Sequence, residues 1–458
     1  MDMFCIEGGL PLRGSIRVDG SKNAALPILA ATLAVTGRVQ LGQIPRLQDV
    51  VTMTRLLQSM GASVGREPDG LLLVDTSAVH TTVAPYELVR QMRASVCVLG
   101  PLLSRFGKAM VSLPGGCNIG HRPIDIHLRG LAALGSDIRI EGGYVIAEAS
   151  ELRGADIDLS GINGPTVTGT CNVLVAATRA RGQTIIRNAA CEPEVEDLGR
   201  FLCACGAIIE GLGTSTIEVT GVESLSAVPY SVIPDRIEAA TFAIAAAMTG
   251  GDVTIQNAPV EHMTAVLQIL ARIGVQMEVA ADGCSLRVLG GGLYRPVDFV
   301  TEPYPGLPTD TQAQLMALLS LVPGESRITD HIFPERFMHA AELVRMGADI
   351  TVRGSSAIVR GVANLSAAPV MASDLRASAA LVLAALAAEG VSEIRRVYHL
   401  RRGYREFEVK LNSLGAKIRR ADDEKRATRV PPSHVDWKVS NFTSEHSDDF
   451  EDDGDSRR

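Results

Sequence analysis

The stretch Val50-Val51-Thr52-Met53-Thr54-Arg55-Leu56-Leu57-Gln58-Ser59-Met60-Gly61-Ala62-Ser63-Val64 carries a pattern that returns along the whole chain. Apolar residues recur at helical spacing from Val50 to Met60 and stop at a glycine. A small residue and a β-branched one follow. Pairs of the same kind stand at Gly135-Ser136, Gly206-Ala207, Gly274-Val275, Gly347-Ala348 and Gly415-Ala416. Successive glycines are 74, 71, 68, 73 and 68 residues apart, so six units of about 70 residues are expected.

Each unit opens with an Ala/Leu-rich segment of helical composition, as in Asn23 to Leu33, Ala239 to Met248 and Ala377 to Ala388. A glycine (Gly37, Gly182, Gly250, Gly390) is expected to cap this helix at its C-terminus. A short β-branched strand comes next, such as Thr184-Ile185-Ile186 or Val253-Thr254-Ile255. A second, amphipathic helix then runs to the Gly-small turn, as Ala340 to Met346 also does, and further strand closes the unit. Strands alternate with helices, so the fold class is α/β, built from six βαβαββ-like repeats in two groups of three.

Composition agrees with this. The 458 residues are too many for one core, and 46% hydrophobic with 4% aromatic content suits short helices and strands. No run approaches the roughly 20 apolar residues of a membrane span, and the start lacks a signal-peptide pattern, so a cytoplasmic location is expected. The net charge is −8, and residues 421–458 hold 6 basic and 11 acidic side chains. This segment contains Pro431-Pro432 and the run Asp448 to Asp453 and lacks apolar periodicity; it reads as a disordered acidic tail that either binds an unidentified basic partner or aids solubility, with no motif to choose between them. No basic stripe points to nucleic acid. Cys203 and Cys205 have no second ligand pair, so they read as core, and neither a metal nor a cofactor is expected.

Two features point to chemistry. Lys22, Arg93, Arg236 and Arg376 stand at the starts of first helices, with acids at Asp235, Asp310 and Asp374. A cation there opposes the positive end of the helix dipole, which suggests that an anion is bound. The other feature is Cys117, in Leu113-Pro114-Gly115-Gly116-Cys117-Asn118-Ile119-Gly120-His121-Arg122-Pro123. Glycines let this loop approach a ligand, and His121, Arg122 and His127 stand close enough in sequence to tune or orient the thiol.

These strings resemble the UDP-N-acetylglucosamine 1-carboxyvinyltransferase family of enolpyruvyl transferases over about residues 1–420. They include Gly20-Ser21-Lys22-Asn23, Met92-Arg93-Ala94-Ser95, the Cys117 loop through His127, and Glu192-Pro193-Glu194. Pro234-Asp235-Arg236-Ile237-Glu238, Pro308-Thr309-Asp310, Arg336-Phe337-Met338-His339, Asp374-Leu375-Arg376 and Arg402-Gly403-Tyr404 follow in order. The resemblance implies a two-domain inside-out α/β barrel. One domain would comprise 1–21 with 232–420 and the other 22–231, with the tail from 421 outside both.

It also implies transfer of the enolpyruvyl group of phosphoenolpyruvate to the 3′-hydroxyl of UDP-N-acetylglucosamine, with release of phosphate, at the entry to peptidoglycan synthesis. By resemblance Cys117 is the proton donor and the nucleophile that fosfomycin alkylates, and Asp310 binds and deprotonates the sugar hydroxyl. Lys22, Arg122, Arg376 and Arg402 hold phosphoenolpyruvate, with Asn23 beside them. Asn23, Arg93, Arg122, Pro123, Ile124, Asp125, Ile126, Gly164, Pro165, Thr166, Val167, Asp310 and Ile332 contact the UDP-sugar. Asp310 reads otherwise as a helix cap, and Arg401 and Arg405 add charges around Arg402 that the family pattern lacks. Two alternatives are a shikimate-3-phosphate enzyme, against which the Cys117 loop argues, and a non-catalytic regulatory paralogue.

Overall fold

The computed structural model describes residues 2–115 and 123–422. The expectations for Cys117, His121, Arg122 and the tail beyond 422 therefore lie outside the described residues. Within them the six Gly-small turns share one geometry. Gly61, Gly135, Gly206, Gly274, Gly347 and Gly415 all have left-handed backbones, with φ between +92° and +105°. At each turn the residue after the glycine bonds back to a carbonyl five residues earlier, as in Ala62 N–H to Leu57 O and Ala416 N–H to Leu411 O. This is the Schellman ending of a helix, which requires φ above zero and so selects glycine.

Each unit contributes a four-stranded sheet, and there are six among the described residues. In one, Val83–Ala84 lies parallel to Lys108–Ser112, which pairs antiparallel with Tyr144–Glu148 and so on to Asp137–Glu141. In most strands burial alternates, as in Asp252–Gln256, so one face of the sheet turns to solvent; Asp2–Glu7 departs from this, with Met3 to Ile6 all buried. The first helices do the opposite: Arg236–Met248 is buried at every residue, and Gln312–Leu319 likewise. A helix apolar all round belongs inside. Helices Arg236–Met248, Gln312–Leu319 and Leu375–Ala387 pack on one another, as do Lys22–Ala31, Leu99–Phe106 and Val167–Ala177 with their neighbours. Helices inside and sheets outside make the inside-out α/β barrel.

Buried apolar side chains form two clusters. One draws on residues 4–18 and 239–418, the other on residues 24–232. The chain passes between them twice, side by side. Ser21 N–H bonds to Ile233 O (2.7 Å), and Asp235 N–H to Asp19 O (2.9 Å). Gly20 is required here, because a Cβ would lie 1.9 Å from Gln43 O. Distant strands close the sheets around these crossings: Arg13–Arg17 joins Asp252–Gln256, and Pro229–Ser231 joins Arg38–Gly42.

Of the four glycines assigned to helix C-caps, only Gly250 directly follows a capping residue, Thr249. The helices before Gly37 and Gly182 end earlier, at Thr32 and Thr178, whose hydroxyls bond back to Leu29 O (2.6 Å) and Val175 O (2.7 Å). Before Gly390 the cap is Ala388. These three glycines have positive φ because they turn the chain into the following strand.

Candidate active site

Helix starts from both clusters converge on the cleft between them. Ser21 caps Lys22–Ala31, and the N–H of Lys22 reaches across to Asp235 Oδ2 (3.2 Å). Asp235 and Asp374 are N-caps, each carboxylate accepting two backbone N–H bonds from its own helix. The acids at these two helix starts are therefore structural, and the adjoining cations are left to find other anions.

For Arg236 the anion is internal. Its guanidinium makes a bidentate pair with Glu194 (3.0 and 3.1 Å), its other face stacks on Tyr304, and it is buried. The resulting bond ties the two clusters together and leaves no ligand role for this arginine. Lys22 Nζ lies 3.5 Å from Asp49 Oδ2, and Arg402 Nε lies 2.8 Å from Asp49 Oδ1. Asp49 is almost fully buried, so it gathers two expected phosphoenolpyruvate ligands, one from each side of the cleft. Sequence reasoning missed Asp49. The signal was an acid on the buried face of an amphipathic helix, Gln48–Ser59, where a charge is costly unless paired.

Asp310 lies in the turn Thr309–Thr311, and the residue capping the next helix is Thr311, so the capping reading does not hold. Its carboxylate instead accepts from Arg336 Nη1 (2.9 Å) and Arg376 Nη2 (3.1 Å). Burial alone would raise its pKa, but Arg376, Arg336 and Lys22 outweigh burial and hold the carboxyl well below the usual range. Arg336, quoted in the sequence only as part of a string, is thus a direct neighbour of Asp310. His339 behind it is pushed down to about 4 by burial and stays neutral.

Arg376 is 2% exposed, yet its Nε and Nη1 have no hydrogen-bond partner. A buried guanidinium with an unused edge is a strong preference for an oxyanion. Its plane rests over the Tyr404 ring (5.3 Å), whose hydroxyl bonds Thr241 (2.8 Å). Of the extra charges near Arg402, Arg405 is drawn off by Asp19 (3.7 Å) and Glu406 (3.3 Å).

The expected nucleotide positions lie further along the cleft. Ile162, Asn163 and Gly164 face Glu302, Pro303, Asp330, His331 and Ile332 across a cavity of about 570 Å³. Gly164 and Ile332 are brought together there. Gly164 approaches Pro303 so closely that a Cβ would lie 2.9 Å from its Cγ. Thr166 and Val167 do not line this cavity; Thr166 caps Val167–Ala177 through Gly169 N–H, and Pro165 precedes it. Pro123, Ile124, Asp125 and Ile126 lead into the helix Asp125–Ala133, and Arg93 and Asn23 stand in the first turns of their own helices. Burial pushes the thiols of Cys97 and Cys205 up to about 12, and raises Cys171 as well. Among the described residues no three His, Cys, Asp or Glu side chains cluster as metal ligands would, and no helix is long and apolar enough to cross a membrane.

Helices turned inward around a cationic cleft, with a carboxylate held among guanidiniums, make a site for anionic ligands. A family model described as EPSP synthase (3-phosphoshikimate 1-carboxyvinyltransferase) matches residues 6–411, and the chain belongs to this enolpyruvyl transferase family. It is 52% identical over 420 residues to the UDP-N-acetylglucosamine 1-carboxyvinyltransferase of Methylacidiphilum infernorum, covering 92% of this chain and 99% of that one. The protein of the same name from Anaeromyxobacter dehalogenans is 54% identical over 424 residues, 92% of this chain and 99% of its own. Among solved structures, the enolpyruvyl transferase NikO from Streptomyces tendae superposes with a TM-score of 0.83 at 27% identity, covering 92% of this chain and 99% of NikO. An EPSP synthase from Acinetobacter baumannii shares the fold at a TM-score of 0.70 and 18% identity, over 92% of this chain and 100% of that one.

Proposed function

We propose that the protein transfers the enolpyruvyl group of phosphoenolpyruvate to the 3′-hydroxyl of UDP-N-acetylglucosamine, the committing step of peptidoglycan synthesis. The observation that carries this reading is the unused, buried edge of Arg376 beside the Asp310 carboxylate. It offers an anion subsite in contact with a group able to take a proton. The UDP-sugar is preferred to shikimate 3-phosphate as acceptor because relatives above 50% identity bear that name.

In this reading the domains are 1–21 with 232–420 and 22–231, and the cleft lies between them. Lys22, Arg122, Arg376 and Arg402 bind the phosphate and carboxylate, with Asn23 alongside. Asn23, Arg93, Arg122, residues 123–126, residues 164–167 and Ile332 hold the nucleotide-sugar. Asp310 takes the proton of the 3′-hydroxyl as its oxygen attacks C2 of phosphoenolpyruvate, while Cys117 protonates the methylene carbon C3. The tetrahedral ketal then returns a proton from C3 to the Cys117 thiolate, the C2–O bond to phosphate breaks, and phosphate leaves with the proton held by Asp310, so that the vinyl ether forms and both residues are restored.

The depressed pKa of Asp310 has a consequence for this sequence. Arg376, Arg336 and Lys22 make Asp310 a weak base, and a phosphoenolpyruvate anion bound among these cations partly neutralises them and raises its basicity. The enzyme is assigned to the cytoplasm. Cys117 is expected to be alkylated by the epoxide fosfomycin.

The test is phosphate release from phosphoenolpyruvate plus UDP-N-acetylglucosamine, comparing wild type with Cys117→Ala. Turnover by wild type and a loss of at least a hundredfold in the variant are expected. Release with shikimate 3-phosphate but not with the UDP-sugar would overturn the acceptor assignment. Binding of both substrates without any release would favour a regulatory paralogue.

A further inference from the structure

The helix Asp125–Ala133 is stitched to the segment 160–168 at three points. Gly161 packs against Ile126 so closely that a Cβ there would lie 2.7 Å from Ile126 Cδ1. Arg129 Nη2 donates to Ser160 O (2.6 Å). Between them, buried His127 places Nε2 3.1 Å from Thr168 Oγ1 and Nδ1 2.9 Å from Asn172 Nδ2.

The tautomer of His127 follows from Asn172. The Asn172 Oδ1 accepts from Gly100 N–H (2.9 Å), and its Nδ2 also donates to Val96 O (2.9 Å). Turning the amide over would break both bonds, so Nδ2 faces the imidazole as a donor. Nδ1 must then be the acceptor, and the ring proton sits on Nε2. That proton is donated to Thr168 Oγ1. The Thr168 hydroxyl, having accepted there, keeps its own hydrogen to donate elsewhere. Thr168 is half-buried in the first turn of Val167–Ala177, four residues after Gly164, which lines the cavity opposite Ile332.

We propose that His127 is a positioning residue for the nucleotide-sugar: the Asn172–His127–Thr168 chain locks residues 124–126 to residues 164–168 and leaves the Thr168 hydroxyl its own hydrogen to donate to that ligand. The proposal rests on the acceptor being a nucleoside-diphosphate sugar. It assigns work to His127 and Thr168 side chains at the binding step and none at the reacting carbons.

The test combines two measurements on the full chain. Histidine-selective ¹⁵N NMR of the free protein should show His127 as the Nε2–H tautomer. Calorimetry should show UDP-N-acetylglucosamine binding weakened about tenfold in His127→Phe and at least threefold in Thr168→Val. The double variant should be no weaker than His127→Phe alone, since both break one chain. His127→Gln, whose amide can still donate to Thr168, should recover part of the loss. The KM for phosphoenolpyruvate should stay within twofold throughout, which a general loosening of the fold would not allow. Thr168→Val keeps the test open if His127→Phe does not fold. An Nδ1–H tautomer, unchanged UDP-sugar affinity in the folded variants, or an equal rise in the phosphoenolpyruvate KM would overturn the proposal. If wild type failed to bind the UDP-sugar while the tautomer was as stated, the acceptor assignment would fall instead.

Discussion

Asp310→Asn separates two roles that the geometry gives to one carboxylate. The substitution keeps the shape and removes a charge that neutralises Arg336 at 2.9 Å and Arg376 at 3.1 Å. An anion on the unused edge of Arg376 would stand about 6 Å from that charge, where two unit charges repel by about 2.8 kcal/mol at an effective dielectric near 20. Asp310 is partly exposed, so screening reduces this to roughly 1–2 kcal/mol. That corresponds to a KM for phosphoenolpyruvate roughly five- to thirtyfold lower. The same change removes the base, and kcat should fall by roughly 10²–10⁴. Steady-state phosphate release, varying phosphoenolpyruvate at saturating UDP-N-acetylglucosamine, reads both numbers. A kcat within tenfold of wild type would refute the base assignment, and a raised KM would refute the electrostatic argument. Stability offers an independent check. The folded pKa lies below the unfolded value of about 3.9, so the contribution of Asp310 is complete above that value and is lost as pH falls through the folded pKa. Wild type minus variant should therefore show a constant difference in unfolding free energy around neutrality that disappears only in strong acid.

Two further outcomes follow from the cleft. Asp49→Asn should lower kcat/KM for phosphoenolpyruvate about tenfold or more, because Lys22 and Arg402 lose the carboxylate that spaces them; kinetics within threefold of wild type would show that other contacts set that spacing. Gly164→Ala should weaken UDP-N-acetylglucosamine binding severalfold and lower thermal stability, since its φ is +93° and the added methyl meets Pro303; unchanged calorimetric affinity would place the nucleotide away from this turn.

How much of this was visible in the chain varies with the range of the interaction. The six-unit plan was legible because a Schellman turn is a local event: five or six residues settle it, and only glycine meets its φ without strain. The glycine caps were misplaced for a related reason. A positive φ serves a strand entry as well as a helix end, and the nearby threonine hydroxyls that terminate two of the helices carry no distinctive signal. The cationic helix starts were also legible, though not their separate fates. Arg236 is satisfied by Glu194 and Arg376 is left half-satisfied, and both partners lie far away in sequence.

Asp49 shows the limit most clearly. On its own it is one more acid in the first turn of a helix, favourable there for dipole reasons alone. It becomes part of the site because Arg402, 353 residues later, is folded onto it. His127 changes meaning in the same way, from a residue read beside the Cys117 loop to one whose two nitrogens are occupied by Thr168 and Asn172. Turn chemistry, helix composition and repeat length are short-range properties, and the amino-acid order alone settles them. Which charge meets which, which guanidinium keeps an empty edge, and which tautomer an imidazole holds depend on contacts between distant segments. Those contacts exist only once the two cores have packed and the chain has crossed between them.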